Sequence, residues 1–182
     1  MKHSRIFCLL IILSLAIFLS ACSTRPTAMI QQAEEARTEA AAEHAELFAP
    51  DDWSAAESDW KAASEKVDAK SYGEANTLLL KAKTRYDKAK SLAKGKRETA
   101  EKDLAAAQTT ANIRLKKDLK ENPAVQRLSA ARKSALDGIV KEIEDSISKV
   151  TTLVQNGQYE EARVLIGNTQ RRIWEVQQEY FK

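Results

Sequence analysis

Glycine, proline, cysteine and histidine are all scarce in this chain of 182 residues, which has 5, 3, 2 and 2 of them respectively. Alanine, lysine, glutamate and leucine are plentiful instead, a composition typical of long helices and not of sheets. We therefore predict an all-α fold of four to five antiparallel helices in an elongated bundle.

The shortage of cysteine and histidine excludes several kinds of site. Cys8 lies in an N-terminal apolar run that we expect to be removed, so Cys22 is left as the one thiol and no disulfide framework is possible. His44 is then the one remaining histidine, and we interpret it as an exposed position on an alanine-rich helix and not as a zinc or copper ligand. The chain also has no nucleophile with a suitable base and no glycine-rich phosphate loop. The sequence thus predicts no metal, no cofactor and no enzyme activity.

The N-terminus is built like an export signal. Residues 1–5 are positively charged, residues 6–19 form an apolar run, and the small residues Ser20 and Ala21 follow. The run is shorter than the roughly 20 residues that a membrane-spanning helix needs, and no later segment approaches that length. We predict a signal peptide over residues 1–21 and no transmembrane span in the mature protein.

The sequence Leu19-Ser20-Ala21-Cys22 resembles the lipobox of bacterial lipoproteins. The resemblance implies cleavage before Cys22, lipidation of its thiol and acylation of its new amino group, with residues 22–27 as the lipidated N-terminus and tether. Ser23 stands where an aspartate would favour retention in the inner membrane, so the family rule implies the periplasmic face of the outer membrane. The alternative is an ordinary secretory signal followed by an incidental cysteine.

Apolar residues recur at three- and four-residue steps through residues 28–182, as they do in amphipathic helices. We predict that a first helix ends before Pro50 and that a second helix ends at a hairpin turn near Ser71. Ser71 and Glu74 form a capping-box pattern at the start of the third helix. That helix extends from 72 to 120 if Gly95 does not interrupt it.

Two further signals divide the rest of this helical domain. Asn122 and Pro123 suit the N-cap and first position of a helix, so we predict a reversal near residue 122 and a fourth helix that begins at Pro123. Asn156 and Gly157 are typical of a left-handed helix end. A second hairpin turn near residue 157 and a fifth helix should follow.

The two predicted turns share a pattern at an offset of 87 residues. Residues 70–75 (Lys-Ser-Tyr-Gly-Glu-Ala) and 157–162 (Gly-Gln-Tyr-Glu-Glu-Ala) resemble the turn of a tetratricopeptide-type helical hairpin. The resemblance implies two such hairpins, in which tyrosine packs across the turn and alanine allows close approach. The offset is far from the tetratricopeptide period of about 34 residues, so a regular solenoid is not expected.

A wider resemblance covers residues 29–93, where an alanine-rich helix leads into Phe48-Ala49-Pro50, then Trp53 and Trp60, then Tyr72-Gly73-Glu74-Ala75. This part resembles a family of uncharacterised bacterial lipoproteins, some of which carry an OmpA-like peptidoglycan-binding domain after the helices. No glycine-punctuated, strand-forming segment follows residue 93. The resemblance therefore does not transfer peptidoglycan binding to this chain.

Charge is unevenly distributed along the sequence. Residues 22–80 hold 5 basic and 12 acidic side chains, whereas residues 81–133, which we call the basic segment, hold 16 and 6. Such a segment suits phosphates or carboxylates of lipopolysaccharide, peptidoglycan, lipid headgroups or an acidic protein. The candidate anion-binding residues are Lys81, Lys83, Arg85, Lys88, Lys90, Lys94, Lys96 and Arg97.

Two other interpretations of the basic segment remain open. In the first, the lysines only keep the outer face of a long helix solvated, as lysines commonly do. In the second, the acidic first hairpin neutralises part of the excess positive charge of the basic segment. Nucleic acid is not an expected partner, because aromatic residues are not interleaved with the cations as single-strand binding favours.

Most aromatic residues suit the cores of the hairpins, but Trp174, Tyr180 and Phe181 lie near the C-terminus, where exposed aromatic side chains can dock a partner. We predict a membrane-anchored envelope lipoprotein that acts as a non-catalytic protein-interaction or scaffolding module. The alternative is a lipoprotein that binds an anionic envelope polymer, peptidoglycan or lipopolysaccharide, through the basic segment.

Overall fold

A computed structural model describes residues 24–181 of the protein. The fold is all-α, and none of these residues lies in a β-strand. The α-helices are α1 (Thr27–Ala42), α2 (Ala45–Phe48), α3 (Pro50–Asp68), α4 (Tyr72–Arg114), α5 (Ala130–Gln155) and α6 (Tyr159–Phe181). A π-helical turn (Leu115–Lys120) extends α4, and a 3-10 turn (Pro123–Arg127) precedes α5. Gly95 does not interrupt α4.

The chain divides into two compact units at residues 94 and 95, and α4 contributes to both. The first unit contains α1, α2, α3 and the first part of α4. The second unit contains the rest of α4, both irregular turns, α5 and α6.

Alanine forms much of the core of the first unit. Ala40, Ala56 and Ala82 are fully buried, and Tyr86 is fully buried in the same cluster. The Trp53 ring meets the Tyr86 ring edge-on, with 5.4 Å between their centroids. Small residues let helices approach closely, and the aromatic rings supply the apolar area that alanine lacks.

The prediction of one helix up to Pro50 is wrong, because the chain bends at His44. α1 ends at Ala42, His44 adopts a left-handed conformation with φ 56°, and Pro50 occupies the first turn of α3. The bend brings Ala45 and Ala49 into the buried cluster. His44 is half-buried at this bend and is not an exposed position on a helix. Histidine tolerates a positive φ better than most side chains do.

The α3–α4 turn is closed by the backbone. The amide of Ser71 donates to the Lys66 carbonyl at 2.9 Å and that of Lys70 to the Val67 carbonyl at 3.0 Å, with Lys70 at φ 58°. These are the two bonds of a Schellman motif. The expected capping box does not form among the described hydrogen bonds, because Glu74 pairs with Lys66 instead.

The α5–α6 turn repeats this arrangement at an offset of 87 residues. The Gln158 amide donates to Leu153 at 2.9 Å and the Gly157 amide to Val154 at 3.0 Å, with Gly157 at φ 75°. The sequence echo therefore corresponds to the same backbone turn, occupied by glycine in one copy and by lysine in the other.

Branched and long aliphatic side chains form the core of the second unit. Leu104 and Leu119 come from α4 and its π-helical turn, Val140 and Ile147 from α5, and Ile173 from α6, and all are buried. Gln108 and Gln170 add side-chain bonds to helix backbones. Gln108 donates to the Ile147 carbonyl at 2.9 Å and Gln170 to the Ala107 carbonyl at 3.1 Å.

The prediction that a fourth α-helix begins at Pro123 is wrong. Asn122 accepts a bond from the Ala124 amide at 3.0 Å, but the turn that it caps is a 3-10 turn. The α-helix begins at Ala130 after Ser129, whose hydroxyl accepts from the Arg132 amide. The sequence offers two N-capping residues, and the chain uses both. Asn122 caps the 3-10 turn within the reversal, and Ser129 caps the α-helix that follows it.

Candidate functional site

One face of α6 is exposed and has the spacing of a helix-packing stripe. α6 buries Ala162, Ile166, Ile173 and Val176 on its inner face. The residues at successive steps of three, four and three on the outer side are Val164, Gly167, Arg171 and Trp174, which we call the α6 stripe. Val164 is 61% exposed and Trp174 is 57% exposed. Stripes with this spacing normally pack against another helix.

The two central residues of the α6 stripe also suit a contact with another protein. Nothing lies within 4 Å of the position that a Cβ of Gly167 would occupy, so another chain has access to the backbone there. Arg171 is exposed and forms no ion pair among residues 24–181. Tryptophan and arginine are enriched among the residues that contribute most to binding at protein interfaces.

The α6 stripe borders an apolar depression between α5 and α6. The depression has a volume of about 520 Å³, and its apolar walls are formed by Leu153, Val164 and Leu165. Lys149, Glu160, Glu161 and Asn168 complete the lining. Since Val164 belongs to both features, the exposed apolar surface continues from α6 into the depression.

The three aromatic residues near the C-terminus differ in exposure. Trp174 is exposed, whereas Tyr180 and Phe181 are half-buried. The guanidinium of Arg132 lies 5.0 Å from the centre of the Tyr180 ring and donates to the Glu179 carbonyl, so a cation–π contact covers that ring. Sequence reasoning missed Val164 and Arg171, although their spacing from Trp174 was a readable signal.

Acidic residues pair with five of the eight candidate anion-binding residues of the basic segment. Lys83, Arg85, Lys88, Lys90 and Arg97 contact Asp87, Asp59, Asp52, Glu39 and Glu101 respectively, at 2.7 to 2.8 Å. The hydrogen bond with Glu39 raises the pKa of Lys90. Three of these acidic residues belong to α1 and α3, as expected if the acidic first hairpin neutralises part of the positive charge of the basic segment.

Lys81, Lys94 and Lys96 are the exposed cations in this group that form no ion pair within the described part of the chain. On a helix of 3.6 residues per turn, Lys94 and Lys96 diverge by about 200°. The structure therefore does not gather these three lysines on one face of α4.

A buried tyrosine, a glutamate and an arginine link three helices in the first unit. The Tyr86 hydroxyl donates to Glu57 at 2.7 Å, and Arg37 donates to both oxygens of the same carboxylate at 2.6 and 3.0 Å. Burial acts to raise the pKa of Glu57, but the bonds from Arg37 and Tyr86 hold it below its usual value. Burial and the bond to Glu57 raise the pKa of Tyr86 well above its ordinary range.

The second unit contains a similar group. The Tyr159 hydroxyl donates to Glu101 at 2.9 Å, and Arg97 donates to the same carboxylate at 2.7 Å. Burial, followed by the bond to Glu101, raises the pKa of Tyr159. In both groups the tyrosine is a hydrogen-bond donor to an ion pair, an arrangement that fixes neighbouring helices. Arg97 is thus occupied inside the second unit.

Cys22, the predicted lipidation site, lies outside the described residues. Within residues 24–181, no group of histidine, cysteine and acidic side chains has the geometry of a metal site. None of the helices in that range has the length and apolar character needed to cross a bilayer. Comparisons of the chain with models of protein families, with curated proteins and with solved structures gave no match.

Proposed function

We propose that the protein is a lipid-anchored envelope protein that binds another protein through the α6 stripe and catalyses no reaction itself. The observation that carries the proposal is the exposure of Val164 and Trp174 on the face of α6 opposite its buried residues. A stripe at helix-packing spacing, with an accessible glycine and an unpaired arginine in its centre, suits a partner helix. The partner would be an envelope protein.

The anchor is supported by the sequence alone. The signal peptide of residues 1–21 and the lipobox that ends at Cys22 point to a lipidated N-terminus, on the periplasmic face of the outer membrane. The resemblance of residues 29–93 to uncharacterised lipoproteins agrees with this and is part of the proposal. Lipid chains bound to Cys22 would hold the protein at a membrane surface, since each buried methylene contributes about 0.8 kcal/mol.

The anchor is tested with a Cys22→Ser variant of the full chain in cells fed a labelled fatty acid. The proposal expects wild-type protein to carry the label and to fractionate with membranes, and expects the variant to do neither. Label in the variant, or wild-type protein without label, would refute lipidation at Cys22.

The docking surface is tested by purifying tagged full-length protein, after cross-linking, from the cells that produce it. Wild-type protein is compared with a Val164→Ser/Trp174→Ser variant. The matched control is Leu80→Ser/Leu92→Ser, which removes two side chains of α4 that are 51% and 42% exposed. Helical circular dichroism establishes that all three proteins are folded.

The proposal expects a partner that wild-type and control proteins retain and that the stripe variant loses. Retention of every co-purified protein by the stripe variant would show that the α6 stripe is not the docking surface. Loss of the partner from both the stripe variant and the control would show that binding depends on exposed apolar side chains in general and not on the α6 stripe.

A second candidate is binding of an anionic envelope polymer, peptidoglycan or lipopolysaccharide, through the basic segment. The observation that favours it is that several cations toward the end of this segment, such as Arg114 and Lys117, form no ion pair within residues 24–181. Co-sedimentation of the detergent-solubilised full chain with cell-wall sacculi at low and moderate salt tests the peptidoglycan form. Binding that salt does not weaken would contradict it.

A further inference from the structure

The reversal between α4 and α5 concentrates positive charge. Residues 113–133, which we call the basic tip, carry 7 basic and 2 acidic side chains. They comprise the last residues of α4, the π-helical turn, the 3-10 turn and the first turn of α5. The tip is the part of the basic segment that lies farthest along the chain from the acidic residues of α1 and α3.

Only part of this charge is compensated within the fold. Lys116 pairs with Glu121 at 3.5 Å, Lys120 pairs with Glu144 at 2.9 Å, and Arg132 lies on the Tyr180 ring. The four other cations of the tip, Arg114, Lys117, Arg127 and Lys133, have neither an ion pair nor a ring contact among the described residues. This differs from residues 81–97, where most cations have a carboxylate partner.

Aliphatic side chains accompany the unpaired cations. Ile113, which directly precedes Arg114, is 60% exposed. Val125 and Leu128, which flank the exposed Arg127 in and after the 3-10 turn, are half-buried. Cations next to exposed aliphatic groups suit the boundary between lipid headgroups and acyl chains, where both find partners. A hydrated glycan chain has no apolar layer into which the exposed Ile113 side chain could insert.

We propose that the basic tip binds a membrane surface that displays the phosphate groups of anionic lipids. The two exposed arginines match phosphate oxygens with paired N–H donors, and the lysines add charge at longer range. Ile113 would enter the headgroup region beside them. This goes beyond the second candidate function, because it names the tip within the basic segment and a lipid membrane in place of a polymer, and it does not depend on the α6 stripe.

The test uses the full chain, held by its own anchor in neutral phosphatidylcholine vesicles. These are mixed with fluorescent acceptor vesicles that contain phosphatidylcholine alone or phosphatidylcholine with phosphatidylglycerol, and the captured fluorescence is measured at low and moderate salt. The tip variant is Arg114→Gln/Lys117→Gln/Arg127→Gln/Lys133→Gln.

The control variant changes four exposed lysines outside the tip that form no ion pair within residues 24–181, and so has the same net charge as the tip variant. It is Lys61→Gln/Lys81→Gln/Lys94→Gln/Lys141→Gln. Each cation near an anionic lipid surface strengthens binding about fivefold, so loss of four cations should weaken binding of the tip variant to the anionic vesicles by about 600-fold. The control variant should behave like the wild type.

Salt-sensitive capture of anionic vesicles alone, lost in the tip variant and kept in the control, is the expected result. Equal capture of neutral vesicles, equal loss in both variants, or undiminished capture by the tip variant would each overturn the proposal. Binding to sacculi without capture of anionic vesicles would also overturn it, while leaving the second candidate function in its peptidoglycan form.

Discussion

Replacing Tyr86 by phenylalanine tests whether the bonds among Arg37, Glu57 and Tyr86 stabilise the first unit. The change removes one hydroxyl and keeps the ring, so the edge-on contact with Trp53 is retained. Glu57 loses its 2.7 Å bond from the tyrosine but keeps both bonds from Arg37.

The expected loss follows from the exposure of Glu57. A hydrogen bond to a charged group contributes about 1.5 to 3 kcal/mol to stability. The Glu57 side chain is 32% exposed, so water can replace the lost donor in part. We therefore expect Tyr86→Phe to lower the free energy of unfolding by about 1 kcal/mol. Removing the whole ring with Tyr86→Ala should cost about 3 to 5 kcal/mol, because the buried ring leaves a cavity.

Urea denaturation measured by tryptophan fluorescence reports on the first unit alone in a Trp174→Phe background. Of the 3 tryptophans, Trp53 and Trp60 then remain, and both belong to α3. Tyr86→Phe should shift the midpoint to lower urea with the slope unchanged. The matched control is Tyr72→Phe, because Tyr72 is half-buried and its hydroxyl forms no hydrogen bond within residues 24–181. We expect the control to stay within about 0.5 kcal/mol of its parent.

A Tyr86→Phe midpoint equal to that of the parent would show that the hydroxyl bond contributes nothing. An equal loss in Tyr72→Phe would show that any tyrosine hydroxyl in this unit has the same effect. Either result would refute the stabilising role assigned to the Arg37, Glu57 and Tyr86 bonds.

Two further predictions concern the turns and the pH dependence of stability. Lys70→Gly should stabilise the first unit by about 0.5 to 1 kcal/mol in the same urea assay, since relief of the left-handed strain outweighs the entropy cost of glycine. Gly157→Ala should destabilise the second unit by about 1 kcal/mol, measured by circular dichroism. Destabilisation by Lys70→Gly, or stabilisation by Gly157→Ala, would contradict the equivalence of the two turns. The folded-state pKa of Tyr86 is raised above the ordinary value of 10.0, so the folded unit keeps a proton that the unfolded chain releases, and stability should fall as pH rises past 10.0. That loss, measured by urea denaturation between about pH 9 and 11, should be smaller in Tyr86→Phe, and an identical loss in both proteins would contradict it.

The all-α class was predictable because composition and hydrophobic spacing both indicate helices throughout residues 28–182. The bend at His44 was not, since no glycine or proline marks it and it depends on the burial of Ala45 and Ala49. The 3-10 turn after Pro123 was missed for a similar reason. Two plausible capping residues were present, and local pattern alone does not say whether both are used.

The candidate site was only partly readable from the sequence. Trp174 was identified as a docking residue, but the exposure of Val164 depends on which face of α6 its neighbours bury. Charge counting found the basic segment, yet the pairing of residues such as Lys88 and Lys90 with α3 and α1 is a tertiary property. Sequence analysis assigned anion binding to the basic segment and named individual residues only within 81–97, where five of the eight have an acidic partner. In the basic tip, by contrast, two of the seven cations have an acidic partner among the described residues.

The most direct test of the proposed function is photo-cross-linking in living cells from a photoreactive amino acid placed at position 174 of the full chain. The matched position is 80, where Leu80 on α4 is 51% exposed and Trp174 is 57% exposed. Docking through the α6 stripe predicts a discrete cross-linked product from position 174, none from position 80, and loss of the product when Val164→Ser is added. Absence of a product from position 174, or the same products from both positions, would contradict the proposal that the α6 stripe binds a protein partner.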